Sequence, residues 1–139
     1  MKKIFLVLLI LILSKVYAMD KIVNLELRNV RELSGKIYLA IYNSEITYKE
    51  EKPFKSYILE SSSSIICITE KLPEGYYLVS GFQDLNGNGK LDFTFIGIPK
   101  EPIGLSNYNG MGIPGGFEKM KIKVTEDNQT IIIKMIKII

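Results

Sequence analysis

Apolar and polar residues alternate with a period of two through much of this chain, and that pattern allows few folds. "KIVNLELRNV" sets Val23, Leu25 and Leu27 against Asn24, Glu26 and Arg28. "GKIYLAIYN" sets Ile37, Leu39 and Ile41 against Tyr38, Ala40 and Tyr42, and "MKIKV" sets Met120, Ile122 and Val124 against lysines. Successive side chains of a strand point to opposite faces, so such segments are strands with one packed face and one wet face. Less regular apolar runs at 57–59, 65–69, 76–82, 93–98 and 130–139 add further strands. Turn-forming clusters separate them: "ELSG", "LPEG" and "EDNQ". The polar segment "SEITYKEEKPFKS" has room for one short helical turn, and no longer helix is indicated. Many short strands joined by turns predict an all-β fold, an antiparallel β-sandwich of about 7–8 strands. The nearly all-apolar ending "TIIIKMIKII" is expected to be a strand buried on both faces, since exposure would invite aggregation.

The N-terminus "MKKIFLVLLILILSKVYAMD" has two lysines, an unbroken apolar run from Ile4 to Leu13, and small residues at Val16 and Ala18. This is the layout of a secretory signal peptide cut after Ala18. Its apolar run is well short of the about 20 residues that cross a bilayer. Residues 1–18 are thus expected to be the signal and 19–139 a single domain, secreted or periplasmic, with no transmembrane segment after cleavage. Lys2, Lys3 and Lys15 leave with the signal, so 15 basic and 15 acidic residues remain. That balance argues against a nucleic-acid or an anionic-membrane partner. The single cysteine, Cys67, cannot form an internal disulfide and reads as a small buried apolar side chain.

The stretch "QDLNGNGKLD" carries the densest pattern. Counting from Asp84, oxygen-bearing side chains recur at Asp84, Asn86, Asn88 and Asp92, with Gly89 at the bend and Lys90 offering its backbone carbonyl. This is the register of a calcium loop, which needs oxygens at alternate positions and a glycine at the sharp turn. Phe95 stands where a bidentate glutamate is expected, so Glu101 or water is needed to complete the shell. Two formal charges place such a site at about 10⁻⁴–10⁻³ M. The same residues also spell a metal-free hairpin turn, because Asn-Gly favours positive φ and Asp84 can cap backbone N–H groups. Both readings stand at this level.

From Leu72 onward the text carries further motifs: Pro73, Gly75 and Tyr77, then Asp84–Asp92, then "GIPKE" (97–101), Gly104, Ser106 and Asn107, and finally Pro114, Phe117 and Glu118. In these it resembles a family of small secreted bacterial proteins classed only as a domain of unknown function. The resemblance implies an exported immunoglobulin-like or prealbumin-like β-sandwich and implies no reaction. Members of that family usually carry histidine just before the first aspartate; this chain has Gln83.

The glycine- and proline-rich excursion after Gly97 is of a length that is usually functional or disordered. Glu101 and Asn107 either face the calcium loop or tie the excursion down. Tyr108, Met111 and Phe117 either form an apolar binding surface or pack under the loop. The chain contains no histidine, which removes serine–histidine and cysteine–histidine catalysis and imidazole zinc sites. Asp84, Asp92 and Glu101 are the clustered carboxylates left for hydrolysis, with no tryptophan to form an indole platform for a sugar. The sequence therefore points to a non-catalytic exported module, with calcium as a candidate cofactor. Its partner is expected to be an envelope or extracellular protein or a glycan, met through a loop at 97–117 with Asn107, Tyr108 and Phe117. The alternative is a purely structural envelope domain.

Overall fold

The computed structural model describes residues 19–139; the expected signal peptide lies outside the described residues. Eight strands and two short helices follow in the order β1 (Lys21–Arg28), β2 (Lys36–Tyr42), α1 (Glu45–Lys49), β3 (Lys55–Glu60), β4 (Ile65–Leu72), β5 (Gly75–Asp84), β6 (Ile103–Leu105), α2 (Phe117–Met120), β7 (Ile122–Val124) and β8 (Gln129–Lys134). A three-stranded sheet, ordered β4-β1-β8, faces a five-stranded sheet ordered β3-β2-β5-β6, with β7 paired to the start of β5. The protein is an all-β sandwich. Its pairings are antiparallel except for β1–β8, which is parallel. Among the described residues no helix is long and apolar enough to cross a membrane.

The alternating strands do what their spacing dictates. Val23, Leu25 and Leu27 of β1 and Ile37, Leu39 and Ile41 of β2 point inward and meet Tyr77, Val79, Val124, Ile131 and Ile133 in the central core. Strand β5 departs from alternation because both of its faces are covered. Tyr77 and Val79 enter the central core, while Leu78 joins a second cluster with Ile103, Leu105, Tyr108, Phe117 and Met120. The segment from Ser106 to Met120 makes that second layer by folding back over the outer face of β5 and β6.

Three expectations change. Residues 93–98 are not a strand: a single bridge, Phe93–Pro99, closes a turn in which the Gly97 N–H donates to the Thr94 carbonyl (2.9 Å). Gly97 has φ +83°, a conformation that suits a turn and not an extended ladder. The C-terminal run is buried on one face only: Ile131 and Ile133 point in and Ile132 points out. Beyond β8, Met135 is buried and Ile136 bridges to Ile103. Cys67 is exposed, because alternation on β4, whose one neighbour is β1, turns Ile65, Cys67 and Thr69 outward. Strand β6 was hidden in the sequence, since three residues with a central glycine carry no periodic signal.

Two interactions seat the start of the loop after β5. Gln83, fully buried, accepts from the Arg31 N–H through Oε1 (2.9 Å) and donates through Nε2 to the carbonyls of Arg31 (2.6 Å) and Ser34 (2.7 Å). It staples the β1–β2 connection to β5 and needs both amide hydrogens to do so. Gly35 then passes directly beside Asp84. It has φ +69°, and a Cβ there would lie 1.8 Å from the Asp84 carbonyl oxygen.

This contrast gives a stability prediction. Gly87 also has positive φ (+76°), but nothing lies within 4 Å of its missing Cβ. Gly87→Ala is expected to cost about 1–2 kcal/mol, the penalty of left-handed backbone alone. Gly35→Ala adds an overpacking cost of about 1–3 kcal/mol. Urea melts of both variants check the order, and equal losses would refute the close approach.

Candidate functional site

The loop after β5 is organised by Asp84, which is 2 % exposed. Its Oδ1 accepts from the Gly87 N–H (2.9 Å) and its Oδ2 from the Gly89 N–H (2.7 Å). Both glycines take positive φ, which turns their N–H groups back toward the start of the loop. Asparagine caps repeat the device one step on. Asn86 Oδ1 accepts from the Asn88 N–H (3.1 Å), and Asn88 Oδ1 accepts from the Lys90 N–H (2.9 Å). These are Asx turns, in which a short polar side chain replaces a backbone acceptor.

The far side of the loop is closed by two carboxylates. Asp92 Oδ2 accepts from Asn86 Nδ2 (2.6 Å) and Asn88 Nδ2 (2.8 Å). Glu101, 4 % exposed, reaches in from beside β6; its Oε1 accepts from the Leu85 N–H (2.9 Å) and its Oε2 from the Asp92 N–H (3.4 Å). Of the six residues expected around a cation, Asn86, Asn88, Asp92 and the Lys90 N–H share one hydrogen-bond network that Glu101 joins through the Asp92 N–H, while Asp84 binds only the Gly87 and Gly89 N–H groups. The network is a cage of hydrogen bonds in which amide nitrogens, not oxygens, face Asp92. Glu101 does both things the sequence offered it, flanking the loop and tying the excursion down.

The excursion itself is anchored. Ser106, fully buried, accepts the Val79 N–H through Oγ (3.0 Å) and donates to the Met120 carbonyl (2.7 Å). Asn107 is exposed and donates through Nδ2 to the Lys119 carbonyl (3.1 Å). Tyr108 and Phe117 are core side chains of the second cluster, so they pack under the loop instead of offering a surface. The Tyr108 hydroxyl donates to the Gly112 carbonyl (2.6 Å) and holds the loop beyond it. Met111, by contrast, is 76 % exposed.

What the sequence reading missed lies at the loop tips. Phe95 and Ile113 are essentially fully exposed, and Phe93, Ile96 and Met111 are more than half exposed. The two loops are neighbours: Phe93, Gly97 and Pro99 from one, with Ile113 and Pro114 from the other, line a common cavity of about 280 Å³. The signal was present as "FTFIGIP", aromatic residues inside a stretch closed by glycine and proline, but it reads equally as a strand. A second feature is a cleft of about 660 Å³ between α1, the Asx loop and the outer sheet face, walled by Tyr42, Tyr48, Ser80, Phe82, Lys90 and Phe93. Tyr38 stacks flat on Phe82 at its edge (5.0 Å between centroids). Burial, then Glu51, pushes the Tyr42 phenol above its ordinary range, and burial does the same to Tyr48. Both remain neutral hydroxyls at physiological pH.

The Asx cage makes Asp92 a titration reporter. Hydrogen bonds from Asn86 and Asn88, helped by Lys100 and Lys90, hold its carboxyl below the usual value of 3.8. A depressed folded-state pKa stabilises the fold above the unfolded value and loses that contribution as pH falls through the folded value. The Asn86 and Asn88 side-chain amide resonances are expected to shift with a midpoint below 3.8 as the pH is lowered. NMR titration checks this, and movement centred above that value would refute the cage.

No curated protein and no solved structure matches the chain significantly. Residues 25–132, from β1 into β8 and including the whole Asx loop and its excursion, match the family described as "uncharacterized protein conserved in bacteria" (DUF2141), and the chain belongs to that family.

Proposed function

We propose that this protein is an exported, non-catalytic β-sandwich module that works by docking through the two loops at the end of the five-stranded sheet. One observation carries this reading: Phe93, Phe95, Ile96, Met111 and Ile113 are exposed on adjacent loops that are themselves held by hydrogen bonds. Large apolar side chains gathered at the surface generally mark an interaction site. The sandwich has no need of them, because its two cores are filled by other residues. The signal-like N-terminus supports export. The lack of histidine, and the engagement of Asp84 and Glu101 by backbone N–H groups, support a role without catalysis. In this reading the Asx cage is a rigid, metal-free footing for the first docking loop.

Association with cell-envelope fragments tests it. The exported protein is expected to co-sediment with washed envelopes, and Phe95→Ser combined with Ile113→Ser to remain in the supernatant at an unchanged melting temperature. Undiminished association of that variant would remove the loops from the docking surface.

A second reading places a weak structural calcium ion in the loop. The convergence of Asn86 and Asn88 on Asp92 favours it. Turning both amides would present oxygens beside Asp92; the reading also needs Asp84, the Lys90 carbonyl and Glu101 to move in, since among the described residues no three carboxylates are gathered around a cation-sized centre. Bound ion at ten times its dissociation constant adds about 1.4 kcal/mol. Thermal melts in millimolar calcium and in chelator decide the matter. A calcium-dependent rise lost in Asp92→Ala supports the ion, and superimposed curves leave the hydrogen-bonded cage alone.

A further inference from the structure

We propose that the cleft on the outer face of the five-stranded sheet binds a neutral glycan. It lies apart from the docking tips, which lend it only Phe93. Strand register builds it. On the outer face Tyr38 stands opposite both Ile58 and Phe82, and Ala40 stands opposite both Ser56 and Ser80. A row of small residues, Ser56, Ala40 and Ser80, therefore crosses β3, β2 and β5 beside a row of large ones. It spans two strand spacings, about 10 Å. The Tyr38–Phe82 stack walls one side of this trough. Tyr42 and Tyr48 wall the other, their rings edge to face (5.2 Å between centroids). The trough holds about 470 Å³ and is continuous with the cleft of about 660 Å³, since Tyr42, Ser80 and Phe82 line both.

The groups offered inside select the ligand. At Ala40 and Ser80 the strands are paired along both edges, so the floor leaves no ladder position for a peptide backbone. What it offers is hydroxyl groups. Among the described residues, those of Tyr38, Tyr42, Tyr48, Ser56 and Ser80 have no hydrogen-bond partner in the protein, and none is fully buried. A hydroxyl both donates and accepts, which matches the hydroxyls of a sugar. The aromatic walls take the apolar C–H faces of the same ligand. A purely apolar ligand would strip these hydroxyls of water and give nothing in return.

Charge at the cleft is balanced, as suits a neutral ligand. Lys49 is paired with Glu45 (2.7 Å). Glu51 and Lys90, of opposite sign, also line the cleft, and neither is in an ion pair among the described residues. Burial and then Glu51 raise the Tyr42 phenol, which places that carboxylate near the hydroxyl. A carboxylate there can accept from neighbouring sugar hydroxyls, and the Lys90 ammonium can donate to another. Glu51 has φ +55° and directly follows Glu50, the C-cap of α1. Glycine is the usual occupant of that place. The backbone favours glycine; what glutamate adds is a side chain on the cleft wall.

NMR titration of the purified protein with cellopentaose, chitopentaose and maltopentaose, and with an uncharged pentapeptide, tests this. At least one oligosaccharide is expected to shift the Ser56, Ala40 and Ser80 amide resonances saturably and independently of salt, and the peptide to leave them in place. Ala40→Leu fills the trough from a position outside both hydrophobic clusters. It is expected to abolish the shifts at an unchanged melting temperature. Glu51→Gly is expected to melt no lower than the unaltered protein and to bind about tenfold weaker, as loss of a charge-assisted hydrogen bond implies. Phe95→Ser with Ile113→Ser is expected to bind the oligosaccharide undiminished, which separates the trough from the docking tips. Silence with all three oligosaccharides, shifts that survive Ala40→Leu, loss of binding in the tip variant, or a response to the peptide alone overturns the proposal.

Discussion

Strand β5 is held from every direction, and the rest of the molecule is arranged by that constraint. Its edges pair with β2, β6 and β7. One face contributes Tyr77 and Val79 to the central core, and the other contributes Leu78 to the second cluster. Ser106 grips its backbone at Val79, Gln83 binds the β1–β2 connection, and Asp84 starts the Asx loop. A strand packed on both faces has no freedom to slip by one residue, because a slip would exchange every side chain between the two layers. The loop that leaves β5 therefore departs from a fixed point in a fixed direction.

That rigidity explains how an exposed apolar patch is sustained. Flexible loops bearing Phe95 or Ile113 would fold those side chains onto the nearest core. Here the first loop is braced by the Asp84 and Glu101 carboxylates and by the Phe93–Pro99 bridge. The second is braced by Ser106 and by the Tyr108 hydroxyl. Buried polar groups serve this bracing well. A carboxylate accepting two backbone N–H groups is satisfied only in one geometry, whereas apolar packing tolerates several.

Gln83 illustrates how one position shifts meaning between levels. As a sequence symbol it is one polar letter before Asp84, set only against the histidine that the resemblance implies there. In the fold it is a fully buried staple, using one acceptor and both donors of its amide. A neutral imidazole has a single N–H and cannot donate to both the Arg31 and Ser34 carbonyls. The geometry accounts for glutamine at this site in structural terms, without any chemistry.

The alternating strands and the Asn-Gly turn were legible in the linear text, because both are local: side-chain period and positive φ depend on a few neighbouring residues. Asp84 as a loop cap was legible for the same reason. Long-range facts were not. Nothing local separates "FTFIGI" as a turn from "FTFIGI" as a strand; the decision comes from Asp92 and Lys100 closing the loop and Gly97 bending it. Nor does the text say that Tyr108 and Phe117 are core while Phe95 and Ile113 are surface. All four are large and apolar, and only the folding of residues 106–120 onto β5 and β6 assigns them. The linear text was enough for a β-sandwich with a polar Asn-Gly loop, capped by Asp84 or holding calcium, since backbone preferences are written residue by residue. Which apolar side chains face solvent emerges on folding, since burial is set by segments distant in the chain meeting in space.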